Sequence, residues 1–199
     1  MRIGGKMKKL LKPGFLRADR GAAAIEAVLI FPFLFMVYFG LQDLMSLINF
    51  NRRITSTSST ISDTIAQYKT TITRANITDI FYSVGLIMQP TPSNNVRVNV
   101  YGYYLNNNVP TIRWQVNNGT NLTCGAPDTS NFKTLMNTGN DLIVAVTCMT
   151  YTPWVAQFMG TNVLSSTSFL LNQIITTRPR ASATLTCVTV ANGSTPCTT

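Results

Sequence analysis

The longest apolar stretch of the chain lies near its N-terminus. Between residues 22 and 41 the only charged side chain is Glu26, and the polar residues Gln42 and Asp43 follow directly. A helix over this stretch rises about 30 Å, at about 1.5 Å per residue, and so matches the hydrocarbon core of a bilayer. The pattern therefore predicts one transmembrane helix, which we place at residues 22–48.

Apolar residues return at helical spacing after this stretch. The spacings are 4, 7, 4 and 3 positions in the series Phe50, Ile54, Ile61, Ile65 and Tyr68. Such spacing places side chains on one face of a helix. We expect one unbroken helix over residues 22–68, about 70 Å long, whose second half lies against a folded domain. A coiled-coil dimerisation stem would show a similar pattern.

A second, shorter helix is predicted over residues 78–88. Asn76 or Thr78 is a suitable N-cap, because either side chain can accept a hydrogen bond from the first helical N–H groups. Pro90 marks the end of this helix. After it, residues 96–104 and 111–116 alternate between apolar and polar positions, which predicts two strands.

A turn between Asn106 and Pro110 joins these two strands into a hairpin. Residues 141–149 and 167–176 predict two more strands, and the Asn- and Gly-rich residues 117–140 predict a loop. The fold class is therefore α+β: a single N-terminal transmembrane helix extends into a long amphipathic helix that packs on a small antiparallel sheet. We expect the Thr-rich tail to add one edge strand over residues 183–190.

Charge predicts the orientation of the chain in the membrane. Only Asp43, Arg52 and Arg53 carry charge just after the apolar stretch, whereas seven basic residues precede it against the single acid Asp19: Arg2, Lys6, Lys8, Lys9, Lys12, Arg17 and Arg20. By the positive-inside rule, the N-terminus stays in the cytoplasm and the following domain is exported. The basic head also accounts for most of the net charge of +9, since seven bases against one acid give it +6.

The remaining bases are scattered and form no nucleic-acid module, so we expect no nucleic-acid partner. The expected organisation is a cytoplasmic basic leader (1–21), the transmembrane helix (22–48), an extracytoplasmic α+β domain (49–180) and a Cys-containing tail (181–199). An ordinary secretory signal is not favoured. Such a signal places its small residues after a shorter apolar region, whereas here the small residues 21–24 precede a longer one.

The start of the apolar helix resembles that of type IV prepilins. Behind a short basic leader, Gly21 is followed after five positions by Glu26, and the apolar helix continues from there. The resemblance implies that a prepilin peptidase cuts between Gly21 and Ala22 on the cytoplasmic face, where glycine lets a protease approach the backbone closely. In pilins the acid is taken to pair with the N-terminal amine of a neighbouring subunit. A carboxylate that reaches cytoplasmic headgroups is the alternative for Glu26.

More of the chain is similar to the TadE-like proteins of the tight adherence (Tad) pilus system. The similarity rests on the junction 20–26 and on four looser patterns, at residues 86–90, 113–114, 151–153 and 177–180. It implies a pilin-like minor pilin or pseudopilin of the bacterial inner membrane that helps assemble or anchor the pilus. The implied partners are the prepilin peptidase, other Tad pilus subunits and inner-membrane assembly proteins. The exported domain is much larger than in the short major pilins, and the tail extends past the pattern.

All four cysteines, Cys124, Cys148, Cys187 and Cys197, lie in the exported part. An even number there favours two disulfides. Three connectivities are possible, and we favour Cys124 with Cys148 and Cys187 with Cys197, because each closes a short loop. The spacings do not suit a zinc site, and the chain has no histidine, so we expect no metal and no cofactor.

The residues argue against an enzyme. Without histidine, the usual triads and imidazole acid-base chemistry are excluded, and the domain's few acids are far apart in sequence, so we expect no small-molecule substrate. The competing function is an uncleaved, membrane-anchored binding or adhesive module. Its binding face would use the aromatic residues Tyr101, Tyr103, Tyr104, Trp114 and Trp154. Core packing is the favoured role for these residues, and alternation places Tyr101 and Tyr103 on the same face of their strand.

Overall fold

The computed structural model describes residues 18–89, 91, 95–118, 122–155, 168–189 and 197. The chain forms two compact units, Met1–Leu44 and Met45–Thr199. The described elements, in chain order, are α1 (Ala18–Ala66), β1 (Thr71–Thr73), α2 (Arg74–Ile87), β2 (Val96–Asn106), β3 (Val109–Asn117), α3 (Ser130–Lys133), β4 (Leu142–Tyr151), β5 (Phe169–Thr177) and β6 (Thr186–Val188). The expected α+β class with a long N-terminal helix and a small antiparallel sheet is confirmed.

Helix α1 is continuous over 49 residues and contains Pro32. It begins four residues before the predicted start and ends two residues before Tyr68. Within the described residues, one helix is long and apolar enough to cross a membrane, the segment Ile25–Ala66 of α1, and its most apolar stretch is 0% buried. Side chains in that stretch are well exposed, such as Leu29 at 72% and Phe33 at 67%. Such exposure distinguishes the segment from the core helix of a soluble domain.

The second part of α1 carries the predicted apolar stripe. Ile54, Ile61 and Ile65 are fully buried in the main core, and Phe50 and Tyr68 pack against it. The expectation that an amphipathic helix face packs on the sheet is therefore confirmed. Between these isoleucines the buried positions are small and polar, namely Thr57, Ser58 and Ser62. Ser62 donates through its hydroxyl to Oγ1 of Thr177 on β5, at 2.5 Å.

Helix α2 starts earlier than predicted. Its N-cap is Thr73, whose hydroxyl accepts a hydrogen bond from the Asn76 N–H at 3.2 Å. The prediction of Asn76 or Thr78 as the cap was wrong, because both residues lie inside the helix. Ile77, between them, belongs to its buried face together with Phe81 and Val84. The capping bond at Thr73 adds one turn in front of the predicted start.

The main sheet has four strands in the order β3-β2-β4-β5, and every neighbouring pair is antiparallel. The predicted hairpin is confirmed, with Asn106 paired to Val109 across a two-residue turn. Both turn residues, Asn107 at φ 48° and Asn108 at φ 64°, are left-handed. Asparagine tolerates this conformation better than other non-glycine residues, which makes the dipeptide a suitable hairpin turn.

Within residues 181–189 and 197, the described part of the C-terminal tail, the one strand lies outside this sheet. This strand, β6, is shorter than predicted and pairs in parallel with β1, a strand that the sequence pattern did not predict. The tail residues Leu185, Cys187 and Cys197 are buried in the same core as the α1 stripe. A short tail strand thus closes one side of the main core.

Both faces of the sheet are covered. Helices α1 and α2 contribute to the main core on one face, whereas the loop segment with α3 covers the other. On this second face, Phe132 and Met136 pack against Tyr103 and the buried valines of β4. The predicted loop between β3 and β4 therefore forms a second, smaller core.

Candidate functional site

The predicted processing site lies at the start of α1. Gly21 and Ala22 are both helical, within five residues of its first residue, Ala18. Glycine is among the weakest helix formers. Bringing Gly21 into the extended form that a protease needs therefore costs less than it would at most other residues.

Glu26 is exposed on α1, five residues after Gly21. Its neighbours Ile25, Leu29 and Ile30 are also exposed, at 55–72%. Among the residues from Ile25 onward whose side chains the structure describes, none forms an ion pair with the Glu26 carboxylate. A carboxylate in an apolar layer costs up to about 3 kcal/mol at mid-helix, and less near the ends, unless a cation pairs with it. Within a membrane, Glu26 is thus a position that favours a cationic partner.

Two disulfides join the four cysteines in the favoured pairing. Cys124 bonds Cys148 with an S–S distance of 1.99 Å, and Cys187 bonds Cys197 at 2.01 Å. The first holds the start of the loop segment against β4. The second holds Cys197 beside two strands, because its N–H donates to the Cys187 carbonyl at 3.1 Å and its own carbonyl accepts from the Gln115 N–H at 3.2 Å.

The aromatic residues do not form one binding face. Trp114 is 1% exposed in the main core, and its indole N–H donates to the Leu185 carbonyl at 2.8 Å. Tyr103 lies in the second core with its ring 5.2 Å from that of Phe132. The Arg113 guanidinium covers the Tyr104 ring at 4.5 Å. Of the five aromatic residues considered for a binding face, Trp154 alone is well exposed, at 63%.

Tyr101 and Tyr103 share a face as alternation predicted, with ring centroids 5.9 Å apart. Burial raises the pKa of Tyr103 to about 12, and the nearby Tyr101 adds to the shift. Both effects disfavour the phenolate. The hydroxyl of Tyr103 is therefore neutral throughout the ordinary pH range and acts as part of the packing.

Gly102 has a role that the sequence pattern did not reveal. It pairs with Trp114 across the hairpin, next to a register shift between Gly102 and Tyr103. A Cβ at this position would lie 2.4 Å from the indole ring, far inside van der Waals contact. Because Gly102 has no side chain, the Trp114 ring can pack against it, beneath the tail.

The domain's acids serve the fold rather than a shared chemical centre. Asp141 is 3% exposed, pairs with Arg113 Nη2 at 3.1 Å and accepts the Leu185 N–H at 2.9 Å. Asp63 pairs with Arg180 at 2.9 Å on the surface. Asp128 is fully exposed, and a hydrogen bond from the Ser130 N–H lowers its pKa. In the described part of the chain, no group of three His, Cys, Asp or Glu side chains could hold a metal ion.

An open cleft of about 300 Å³ lies beside Asp141 and is lined by residues 178–183 and Asn140. Its arginines already have partners, because Arg180 pairs with Asp63 and Arg178 donates to the Leu135 carbonyl. Both arginines that line the cleft are therefore already engaged, and an anionic ligand would have to compete with these contacts.

In comparisons with family models, curated proteins and solved structures, nothing matches this chain. The fold and the site define a mixed α+β unit with two disulfides, preceded by one candidate membrane-spanning helix near the N-terminus.

Proposed function

We propose that this chain is a membrane-anchored component of the pilin pathway: a TadE-like minor pilin or pseudopilin that helps assemble or anchor a Tad pilus. One observation carries the proposal. A basic leader, Gly21, Glu26, an exposed apolar segment and a buried amphipathic stripe follow one another in the order that prepilins use, and the described part of this series is a single helix, α1.

The proposed topology follows from charge and from the cysteines. The basic leader stays in the cytoplasm, α1 spans the bacterial inner membrane once, and the disulfide-bonded domain faces the periplasm. Two disulfides among four cysteines support an oxidising compartment, since cytosolic disulfides are rare. In this orientation Gly21 lies on the side where a prepilin peptidase acts.

Cleavage after Gly21 would hydrolyse one peptide bond and create a cationic amine on Ala22. Ala22 and Glu26 are four residues apart, which corresponds to a rise of about 6 Å along the helix. Two parallel helices offset by that distance bring the amine of one chain beside the carboxylate of the other. Pairing would remove the cost of an isolated carboxylate in lipid, and would thereby fix the register of neighbouring subunits. The partners in this scheme are other Tad subunits and inner-membrane assembly proteins.

The alternative is an uncleaved, membrane-anchored binding or adhesive module. Exposed Trp154 favours it, because an exposed indole is a frequent anchor in recognition. The other four aromatic residues considered for a binding face have packing roles on opposite sides of the sheet. This distribution supports the pilin-pathway proposal over the adhesive one.

Pilus assembly tests the proposal through Glu26. We expect Glu26→Ala to abolish surface pili in a strain whose own copy has been deleted, whereas Asp43→Asn, which removes another carboxylate of the same helix, leaves pili in place. Pili are counted by electron microscopy, with membrane levels of each variant measured by immunoblot. Pili that form normally with Glu26→Ala, or in the absence of the chain altogether, would contradict the proposal.

A further inference from the structure

One end of the unit Met45–Thr199 combines exposed apolar side chains with the point where α1 enters the unit. The ring of Phe50 on α1 lies 5.5 Å from that of Tyr151, the last residue of β4. Tyr151 pairs with Phe169, the first residue of β5. The end of β4 and the start of β5 therefore lie beside the first turns of α1 in this unit.

Three large apolar residues are exposed at this end. Phe169 and Leu170 are each 49% exposed, and Trp154, three residues after Tyr151, is 63% exposed. We call Trp154, Phe169 and Leu170 the proximal rim. Phe169 and Leu170 are consecutive on β5 and so point to opposite faces of the sheet, and what they share with Trp154 is their place at this end of the unit.

The helix beside the proximal rim is itself apolar and exposed. Met45 is 63% exposed and Ile48 is 42% exposed, and both precede Phe50 on α1. The rise from Met45 to Phe50 is about 7 Å, which is close to the thickness of one headgroup layer of a bilayer. Measured along the axis of α1, the separation between the rim and the last exposed apolar turns is thus no greater than the thickness of one headgroup layer.

Exposed cations lie on α1 close to Phe50. Arg52 and Arg53 are exposed on α1 next to Phe50, and the Arg53 guanidinium donates to the Gln89 carbonyl at the end of α2. The carboxylates of Asp63 and Asp141 lie toward the other end, where Arg180 contacts both Asp63 and the Ala66 carbonyl. Arg52 and Arg53 therefore lie within about 5 Å of Phe50 along the axis of α1.

We propose that the proximal rim lies in the headgroup layer of the bilayer that α1 enters, and that the ligand of this surface is an anionic phospholipid membrane. The inference rests on the membrane anchoring in the proposed function, and it does not depend on cleavage at Gly21. Tryptophan and other aromatic side chains favour the membrane interface, where the ring is buried and the polar edge stays hydrated. Arg52 and Arg53 are placed to meet lipid phosphates.

Membrane docking of the rim has a functional consequence. The exported unit is held at the membrane by a second contact besides α1, so its orientation is restricted while α1 stays in the bilayer. Removal of α1 from the bilayer into a filament would also release the rim. The docked form is therefore a membrane-resident state, distinct from any filament state.

Tryptophan fluorescence tests this inference, because the chain has only two tryptophans. Trp114 is 1% exposed and serves as an internal reference, whereas Trp154 is 63% exposed. The full chain is reconstituted into vesicles of phosphatidylcholine and phosphatidylglycerol, with or without bromine atoms near the carbonyl end of the acyl chains. Vesicle flotation first confirms anchoring; a chain that does not float with the vesicles overturns both the anchoring and the docking.

In floating samples, we expect brominated lipid to quench most of the Trp154 emission and little of the Trp114 emission, which is measured alone in Trp154→Phe. Leu170→Asp should reduce the quenching, whereas Val109→Asp, at the 59% exposed hairpin residue, should leave it unchanged. Trp154 that is quenched by aqueous iodide but not by brominated lipid overturns the inference. Trp154 shielded from both quenchers also overturns it, because another protein surface, such as a second copy, then covers the rim.

Discussion

Asp141 shows at the scale of single residues how the tail is held to the sheet. Its buried carboxylate binds the Arg113 guanidinium on β3 and the Leu185 N–H of the tail, and its own N–H donates to the Ala183 carbonyl at 2.7 Å. A hydrogen bond to a charged group is worth about 1.5–3 kcal/mol. One side chain thus joins two segments that are distant in sequence.

Removing this charge should destabilise the unit Met45–Thr199. We expect Asp141→Asn to lower the free energy of unfolding by about 2–3 kcal/mol, because Arg113 loses its anion and a buried N–H loses a charged acceptor. Asp63→Asn is the matched control; it breaks a pair whose side chains are 61% and 48% exposed, and should cost less than about 1 kcal/mol. Urea unfolding in detergent measures both, and equal losses would contradict the assignment.

Tyr103 gives the unit a defined alkaline sensitivity. Its pKa is raised from 10.0 to about 12, so the unfolded chain loses this proton first as the pH rises. The stability that the neutral hydroxyl contributes is therefore complete below pH 10 and declines between pH 10 and about 12, by about 1–3 kcal/mol. Tyr103→Phe should remove this part of the decline in urea titrations across that pH range. An unchanged slope in the variant would contradict the burial of the hydroxyl.

At the scale of elements, local periodicity predicted those parts of the fold that depend on local contacts. The α1 stripe from Phe50 to Ile65 and the β2-β3 hairpin were predictable, because each follows one period and one turn signal. Strand β1 was not, since three residues between two helices become a strand only by pairing with Thr186 and its neighbours. Thr73 as the N-cap was missed for the same reason, because it is the last residue of that strand and pairs with Val188.

The candidate site likewise combines features that local sequence predicts with features that depend on distant contacts. Short sequence separation sufficed to pair the cysteines. The proposed aromatic face could not be judged from the sequence, because Trp114 and Tyr103 are buried by distant partners, Leu185 and Phe132. The second core could not be predicted, because residues 117–140 carry loop-like composition and gain their place from the bond to Cys148 and from packing on Tyr103.

The two disulfides should have separable effects, since they hold segments on opposite faces of the sheet. Loop closure over 10 or 24 residues is worth about 3 kcal/mol in either case. In a Trp154→Phe background, we expect Cys187→Ala with Cys197→Ala to expose Trp114 and shift its emission to longer wavelength. The same change at Cys124 and Cys148 should leave that emission unchanged, although it loosens the other core. A red shift in both double variants, or in neither, would contradict the two-core description.

For the whole molecule, α1 has two roles. Its first part is exposed and apolar as a membrane helix requires, and the apolar stripe of its second part is buried in the core of the unit Met45–Thr199. Prepilin-like processing would couple the two roles, because the cut creates the amine that pairs with Glu26 of a neighbour. Without the cut, we expect the basic leader to keep the chain in the membrane.

The most direct measurement is the N-terminal sequence and intact mass of the protein from cells with and without the prepilin peptidase. The account predicts a chain that starts at Ala22 when the peptidase is present, and an uncut chain when the peptidase is absent or when Gly21→Ala is introduced. Gly40→Ala is the control, because a Cβ there meets nothing within 4 Å, and it should be processed normally. An uncut chain in every strain would contradict the account and leave a permanently anchored periplasmic module.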